Sequence, residues 1–207
     1  MEKLTVSDFQ RMIAEAAKNI EARSEEFSQL DAALGDGDHG EAITTAIKVI
    51  AAESTKGGDF KSLLNDMGFG VMLQTSGSTS TLLGGFLLGM GDAVPAGVSE
   101  LDAKQVAAMF KGGLEGVQKN TKAQVGDKTI MDSLVPAVES MQSCESDDVK
   151  VVMAGAAEAA LAGVETTKAM VAKFGRARNL GEKVIGHVDA GATSWAEMFR
   201  SFSSVLQ

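Results

Sequence analysis

Apolar residues recur every three to four positions along almost the whole chain. From Phe9 they fall at Met12, Ile13, Ala16, Ala17, Ile20, Phe27 and Leu30, a stripe of about six turns that predicts one amphipathic helix. Ser7 and Asp8 stand where an N-cap and an acidic first turn belong. The same period predicts helices over Glu41–Ala52, stopped by Gly57-Gly58, and over Asp59–Leu73 and Ser78–Met90. Ser99 and Asp102 have the cap spacing for a fifth helix ending near Lys119. Thr129 and Asp132 repeat that spacing for a sixth, ending near Gln142, and two more are predicted over Asp147–Phe174 and Ala192–Val205. No segment alternates with period two between turn signals, so no strand is predicted. Eight helices without a repeat or a linker make a single all-α domain.

Composition sharpens this reading. At 207 residues the chain has the size of one domain, or at most two small ones. Only two prolines, Pro95 and Pro136, interrupt it, which permits long helices. The 23 glycines gather in clusters, and the Ala/Gly content of the fourth, fifth and seventh helices predicts close helix–helix approach. The longest apolar run, Leu82–Met90, is far short of the roughly 20 residues a membrane span needs. The first residues, Met-Glu-Lys-Leu-Thr, lack a signal-peptide layout, and Cys144 is the sole cysteine, so a reducing cytoplasm is expected. Cys144 is expected to have no catalytic role. A net charge of −9 disfavours nucleic-acid backbones and anionic lipid as partners. It still allows phosphate held through metal ions or backbone N–H groups.

Four segments carry candidate chemistry. In Leu30–Gly40, the carboxylates Asp31, Asp36 and Asp38 fall within eight residues of a glycine-rich stretch. Converging carboxylates repel unless a cation sits among them, and hard oxygen donors suit Mg²⁺ or Ca²⁺. An EF-hand fits poorly, because counting from Asp36 puts Glu41 and Ile47 where Gly and Glu belong. The same composition also suits a polar turn between helices. His39 reads as a metal ligand, a helix cap or a phosphate contact, although a lone histidine is more often structural. Gln74–Thr81, with Gly77, Ser78 and Thr79 opening a helix, suits an anion or ordinary N-capping; it is not a Walker A motif. In Gly126–Asp132, Lys128 is a candidate phosphate contact. The last segment, Phe174–Arg178 followed by Gly186–Ser194, is a long loop bearing Arg176, Arg178, His187 and Asp189; arginine suits phosphate, or simply a solvated surface.

In this order and spacing the segments resemble the nucleotide-binding (L) subunit of dihydroxyacetone kinase. The likeness rests on Leu30–Gly40, Gly126–Thr129, Gly175-Arg176-Ala177, Leu180-Gly181-Glu182, and Gly186-His187 through Asp189 to Gly191–Ser194, and covers nearly the whole chain. The resemblance implies an eight-helix antiparallel barrel with a nucleotide site at one end. It implies ATP or tightly bound ADP held through two Mg²⁺ ions, with Asp31, Asp36 and Asp38 as metal ligands. His39, Gly40, Gly77, Ser78 and Thr79 would contact phosphates. The base and ribose would lie near Thr121, Ile130, Met131, Arg176, Asp189, Ala190 and Gly191. Arg176 would be the catalytic cation, with Lys128 as a second candidate for that charge. Three features depart from the family: Ser76–Ser80 replaces consecutive glycines followed by Ala-Ser-Gly, Thr121 stands where glycine is commoner, and Glu41-Ala42 replaces Asn-Met.

By the same resemblance, the ketose is held covalently on a separate K subunit, and this chain alone phosphorylates nothing. The donor is freely exchanging ATP, or bound ADP recharged by a phosphoprotein of the sugar phosphotransferase system. Dihydroxyacetone is the default acceptor, with erythrulose as a longer alternative. Two other readings compete. One is an ADP-dependent regulatory module that binds a transcription factor. The other is a structural helical domain with a cation-binding turn.

Overall fold

The computed structural model describes residues 1–207. Nine α-helices form: α1 (Val6–Ala22), α2 (Ser24–Ala32), α3 (His39–Ser54), α4 (Phe60–Gln74), α5 (Ser78–Asp92), α6 (Ala103–Gln118), α7 (Met131–Ser143), α8 (Val149–Thr166) and α9 (Ala190–Leu206). Eight of them close a ring in the order α1, α3, α4, α5, α6, α7, α8, α9 and back to α1. The short α2 lies outside this ring, packed on α3. The all-α domain and its eight-helix barrel are therefore as expected, although the first stripe is two helices rather than one. It breaks at Arg23, where φ is −107° and ψ is 11°. Arg23 turns its guanidinium onto Glu26 and the fully buried Glu197, and stacks 5.1 Å over Phe27. Arg200 pairs with Glu197 as well, so this buried carboxylate is neutralised from two sides.

Other departures have local causes. Two strands exist, β1 (Lys3–Thr5) and β2 (Glu100–Asp102), paired antiparallel with Leu4 opposite Leu101. Three residues are too few to show alternation. Thr5, not Ser7, caps α1, and Asp8 completes its capping box. Asp102 caps α6 with Gln105, while the Ser99 carbonyl instead receives the Val6 amide at 3.1 Å. No side chain caps α7; Asp132 turns back onto the Thr129 amide at 2.8 Å. The helix expected over Asp147–Phe174 stops at Thr166, and residues 167–189 form a strap containing 3₁₀ turns over Thr167–Ala169 and Ala177–Val184.

One core of 50 buried residues fills the ring. An aromatic row runs through it along the barrel: Phe60, Phe9, Phe202, Phe110, Phe86 and Trp195, with successive centroids 5.8, 6.2, 6.4, 6.0 and 5.1 Å apart. α9 buries 12 of its 17 residues. No helix is long and apolar enough to cross a membrane. Alternation around the ring sends the N-termini of α3, α5, α7 and α9 to one end. Those of α1, α4, α6 and α8 go to the other, where Thr5, Asp59, Asp102 and Asp148 each cap their helix through a side-chain oxygen.

The α5–α6 seam depends on backbone contact. A Cβ at Gly116 would lie 2.0 Å from the Gly85 carbonyl oxygen, and one at Gly89 would lie 2.3 Å from that of Gly112. Gly116→Ala should therefore force the two helices apart and cost about 1–3 kcal/mol, a fall of roughly 2–12 °C in Tm. Gly155→Ala, whose Cβ meets only Ser140 Oγ at 3.1 Å, should stay within about 1 kcal/mol of the parent. Thermal melts of the two variants check this.

Candidate functional site

The end of the barrel where α3, α5, α7 and α9 begin holds a cleft of about 490 Å³. One wall is the loop from α2 to α3. Asp31, in the last turn of α2, organises that loop: its Oδ2 accepts the Gly37 amide at 2.9 Å and its carbonyl accepts the Leu34 amide at 2.8 Å. Gly37 sits at φ +80°, where an L side chain is strained. The resulting turn brings carboxylate oxygens of Asp31, Asp36 and Asp38 within 4.8 Å of one another. The pKa of Asp38 is raised, by lost hydration and by the charges of Asp36 and Asp31. Arg176 reaches across from the strap and places Nη2 2.7 Å from Asp36 Oδ2. A concentrated set of oxygen donors with a single arginine on it fits a hard divalent cation such as Mg²⁺.

The helix starts supply the next layer. α3 begins at His39 and α5 at Ser78, and neither has a side-chain cap, unlike the four helices starting at the far end. Their first amides are left without helical partners at the positive end of each dipole. Ser78 and Thr79 line the cleft. Gly77, at φ +95°, sets the turn into α5 without lining the cleft. His39 lines the cleft, with Nε2 2.9 Å from Ser194 Oγ. That hydroxyl donates to the Gly191 carbonyl at 3.0 Å, which leaves the Nε2–H to donate to Ser194. Burial lowers the His39 pKa against the pull of Asp31, so the ring is neutral near pH 7. Gly40 faces away from the cleft: a Cβ there would sit 2.0 Å from the Ser24 carbonyl, so this glycine lets α3 cross α2.

The opposite wall comes from α6, α7 and α9. Thr121, Ile130, Asp189 and Gly191 all line the cleft. A Cβ at Gly191 would lie 2.9 Å from Ile130 Cγ2, so glycine keeps this wall thin. Met131 and Ala190 are buried behind it and do not line it. Asp189 caps α9 through the Ala192 amide at 2.7 Å. Although part of it opens to the cleft, crowding by protein raises its pKa to about 6, despite the Ala192 bond and the nearby Lys128 charge.

Lys128 departs from expectation. It is 2% exposed, at φ +58°, and its ammonium donates to the Thr167 carbonyl at 2.6 Å and to that of His187. Two of its three N–H donors go to backbone, although the residue lines the cleft. Phe174, which opens the last candidate segment, also lines the cleft, as do Asn120 and Trp195, which the residue pattern did not single out.

A family model described as the DAK2 domain matches residues 33–204. The chain is 32% identical to the ADP-binding subunit DhaL of PEP-dependent dihydroxyacetone kinase 2 of Listeria innocua, over 92% of this chain and 90% of that subunit. It is 36% identical to the corresponding Escherichia coli subunit, over 83% of each. It is also 30% identical to a D-erythrulose kinase of Mycolicibacterium smegmatis, over 95% of this chain but only 35% of that longer protein. The crystal structure of a dihydroxyacetone kinase from C. freundii in complex with AMP-PNP and Mg²⁺ shares the fold, with a TM-score of 0.74 at 23% identity. The chain covers about a third of that kinase, 33% of its length.

Asp189 sets a pH dependence. Its pKa rises from 3.8 to about 6, so between those values the folded chain holds a proton that the unfolded chain has released. Its contribution to stability therefore falls as pH rises through that window. Urea unfolding in chelator should show the parent losing up to about 3 kcal/mol more than Asp189→Asn across the window.

Proposed function

The chain belongs to the DAK2-domain family, and we propose that it is the nucleotide-binding phosphotransfer subunit of a dihydroxyacetone or related ketose kinase. The observation that carries this reading is the cleft itself: three carboxylates within 4.8 Å, flanked by two helices whose first amides lack side-chain caps. That combination holds a polyphosphate from both sides, through cations and through backbone N–H groups. Relatives of similar length are named ADP-binding subunits of PEP- or PTS-dependent dihydroxyacetone kinases.

In this reading residues 1–207 act as one nucleotide-binding unit. Asp31, Asp36 and Asp38 hold two Mg²⁺ ions, which when bound neutralise phosphate charge and polarise the transferring phosphoryl group. The amides and hydroxyls of Ser78 and Thr79, with the start of α3 at His39, orient the phosphates. Gly40 and Gly77 act through backbone geometry. Thr121, Ile130, Asp189 and Gly191 enclose base and ribose, and Met131 and Ala190 shape that wall from behind. Arg176 is the one cleft-lining guanidinium, and its charge suits the developing negative charge of the transition state. Trp195 and Phe174 keep water from the floor and mouth.

The acceptor ketose is held covalently on a separate K subunit, so turnover requires that partner. The names of the relatives favour ADP that stays bound and is recharged by a phosphotransferase-system phosphoprotein over freely exchanging ATP. Such a donor places the protein in the cytoplasm. The erythrulose kinase among the relatives keeps a four-carbon ketose in range as substrate.

Nucleotide binding by the purified chain tests this. ADP or ATP should bind only with Mg²⁺, and Asp36→Ala/Asp38→Ala should weaken binding at least ~100-fold, a loss of about 3 kcal/mol. Binding by the double variant equal to the parent's would remove the carboxylates from the site. ADP that co-purifies and survives dialysis marks the phosphoprotein route; rapid exchange marks free ATP.

A further inference from the structure

One ammonium closes both ends of the strap. Lys128 Nζ donates to the Thr167 carbonyl, where α8 stops, and to the His187 carbonyl, just before α9 starts. Nearby bonds make the same closure: the Gly186 amide donates to the Lys168 carbonyl at 2.7 Å, and the Asp189 amide to Thr167 Oγ1 at 3.0 Å. The adjacent Asp127 takes the Lys173 amide at 3.1 Å and the Lys173 ammonium at 2.7 Å. Lys128 is the only non-glycine residue at positive φ. A non-glycine residue there costs backbone energy that glycine would avoid, so the side chain must offset that cost.

What the strap carries accounts for the offset. Phe174, Gly175, Arg176 and Ala177 line the cleft from it. Its Ala172 and Val184 bury Leu34 of the aspartate loop in a small core separate from the main one. Arg176 then meets Asp36 from a strap otherwise held mainly by this patch and its two closed ends. Gly175, Gly181 and Gly186 all have positive φ, with open space where a Cβ would stand.

We propose that Lys128 is a positioning residue: the clasp whose two carbonyl bonds hold the 167–189 strap shut, and so hold Arg176 at the aspartate cluster and Asp189 at the opposite wall. The proposal rests on the nucleotide-site reading for its functional consequence, but not for the clasp itself. Burial lowers the Lys128 pKa, and the charges of Asp189 and Asp132 oppose that shift.

Limited trypsin digestion of the full chain tests the clasp, because Lys173, Arg176, Arg178 and Lys183 are exposed on the strap. In Lys128→Met, cleavage at these sites should be at least ~10-fold faster while sites on the helices keep the parent's rate. Lys128→Arg, which retains charge and donors, should restore protection. Trp195, the single tryptophan and part of the cleft lining, reports ligand binding by fluorescence. Mg²⁺-ADP titration of Lys128→Met should shift about 10- to 100-fold to weaker binding, with recovery in Lys128→Arg. Strap cleavage equal to the parent's overturns the proposal, as does faster cleavage spread evenly over the barrel. If Lys128→Met does not fold, Lys128→Gln takes its place, and the same two cleavage patterns overturn the clasp. A parent chain that gives no Mg²⁺-dependent ADP response overturns the functional reading alone, while the digestion still decides the clasp.

Discussion

Three carboxylates gathered within 4.8 Å are a standing electrostatic cost, and the cleft end of this barrel is arranged around it. Burial raises the Asp38 pKa, and the like charges of Asp36 and Asp31 add to that rise. The chain offsets part of the cost with its own groups: the Gly37 amide on Asp31, the start of α3 beside Asp38, and Arg176 on Asp36. None of these cancels three charges. The remaining attraction for cations is what makes the site suited to Mg²⁺ and phosphate together.

The division of labour between the two ends follows from ring closure. Antiparallel neighbours put half of the helix N-termini at each end. At the far end every one of them is closed by a side-chain oxygen, and β1 and β2 tie the starts of α1 and α6 together. At the cleft end α3 and α5 start bare. Four caps worth about 1 kcal/mol each stabilise one end, while at the other only α9 has a side-chain cap and the bare starts of α3 and α5 leave amides for a ligand. The aromatic row from Phe60 to Trp195 joins the ends, so the cleft floor is also the top of the core.

The strap shows how a buried charge serves geometry. Lys128 commits its donors to two backbone carbonyls 20 residues apart in sequence, Thr167 and His187. A lysine in that setting is costly to bury and therefore specific in what it tolerates. Its clasp stands in place of the continuous helix that alanine-rich α8 would otherwise extend toward Phe174.

Much of this was legible in the residue pattern. Period-3.6 stripes located the helices of the ring, and the spacing of Asp31, Asp36 and Asp38 among glycines marked the acidic loop, because local periodicity and turn chemistry act over a few residues. Other features were decided only in three dimensions. At the break, Arg23 meets Glu197, 174 residues away. Gly40 and Met131 lie beside cleft residues in sequence yet face a neighbouring helix or the core. Lys128 reads as a free phosphate ligand until α8 and α9 bring their carbonyls to it. Short-range order is written in neighbouring side chains; which surface a residue faces, and which distant carbonyl or carboxylate it meets, is set only when the ring closes.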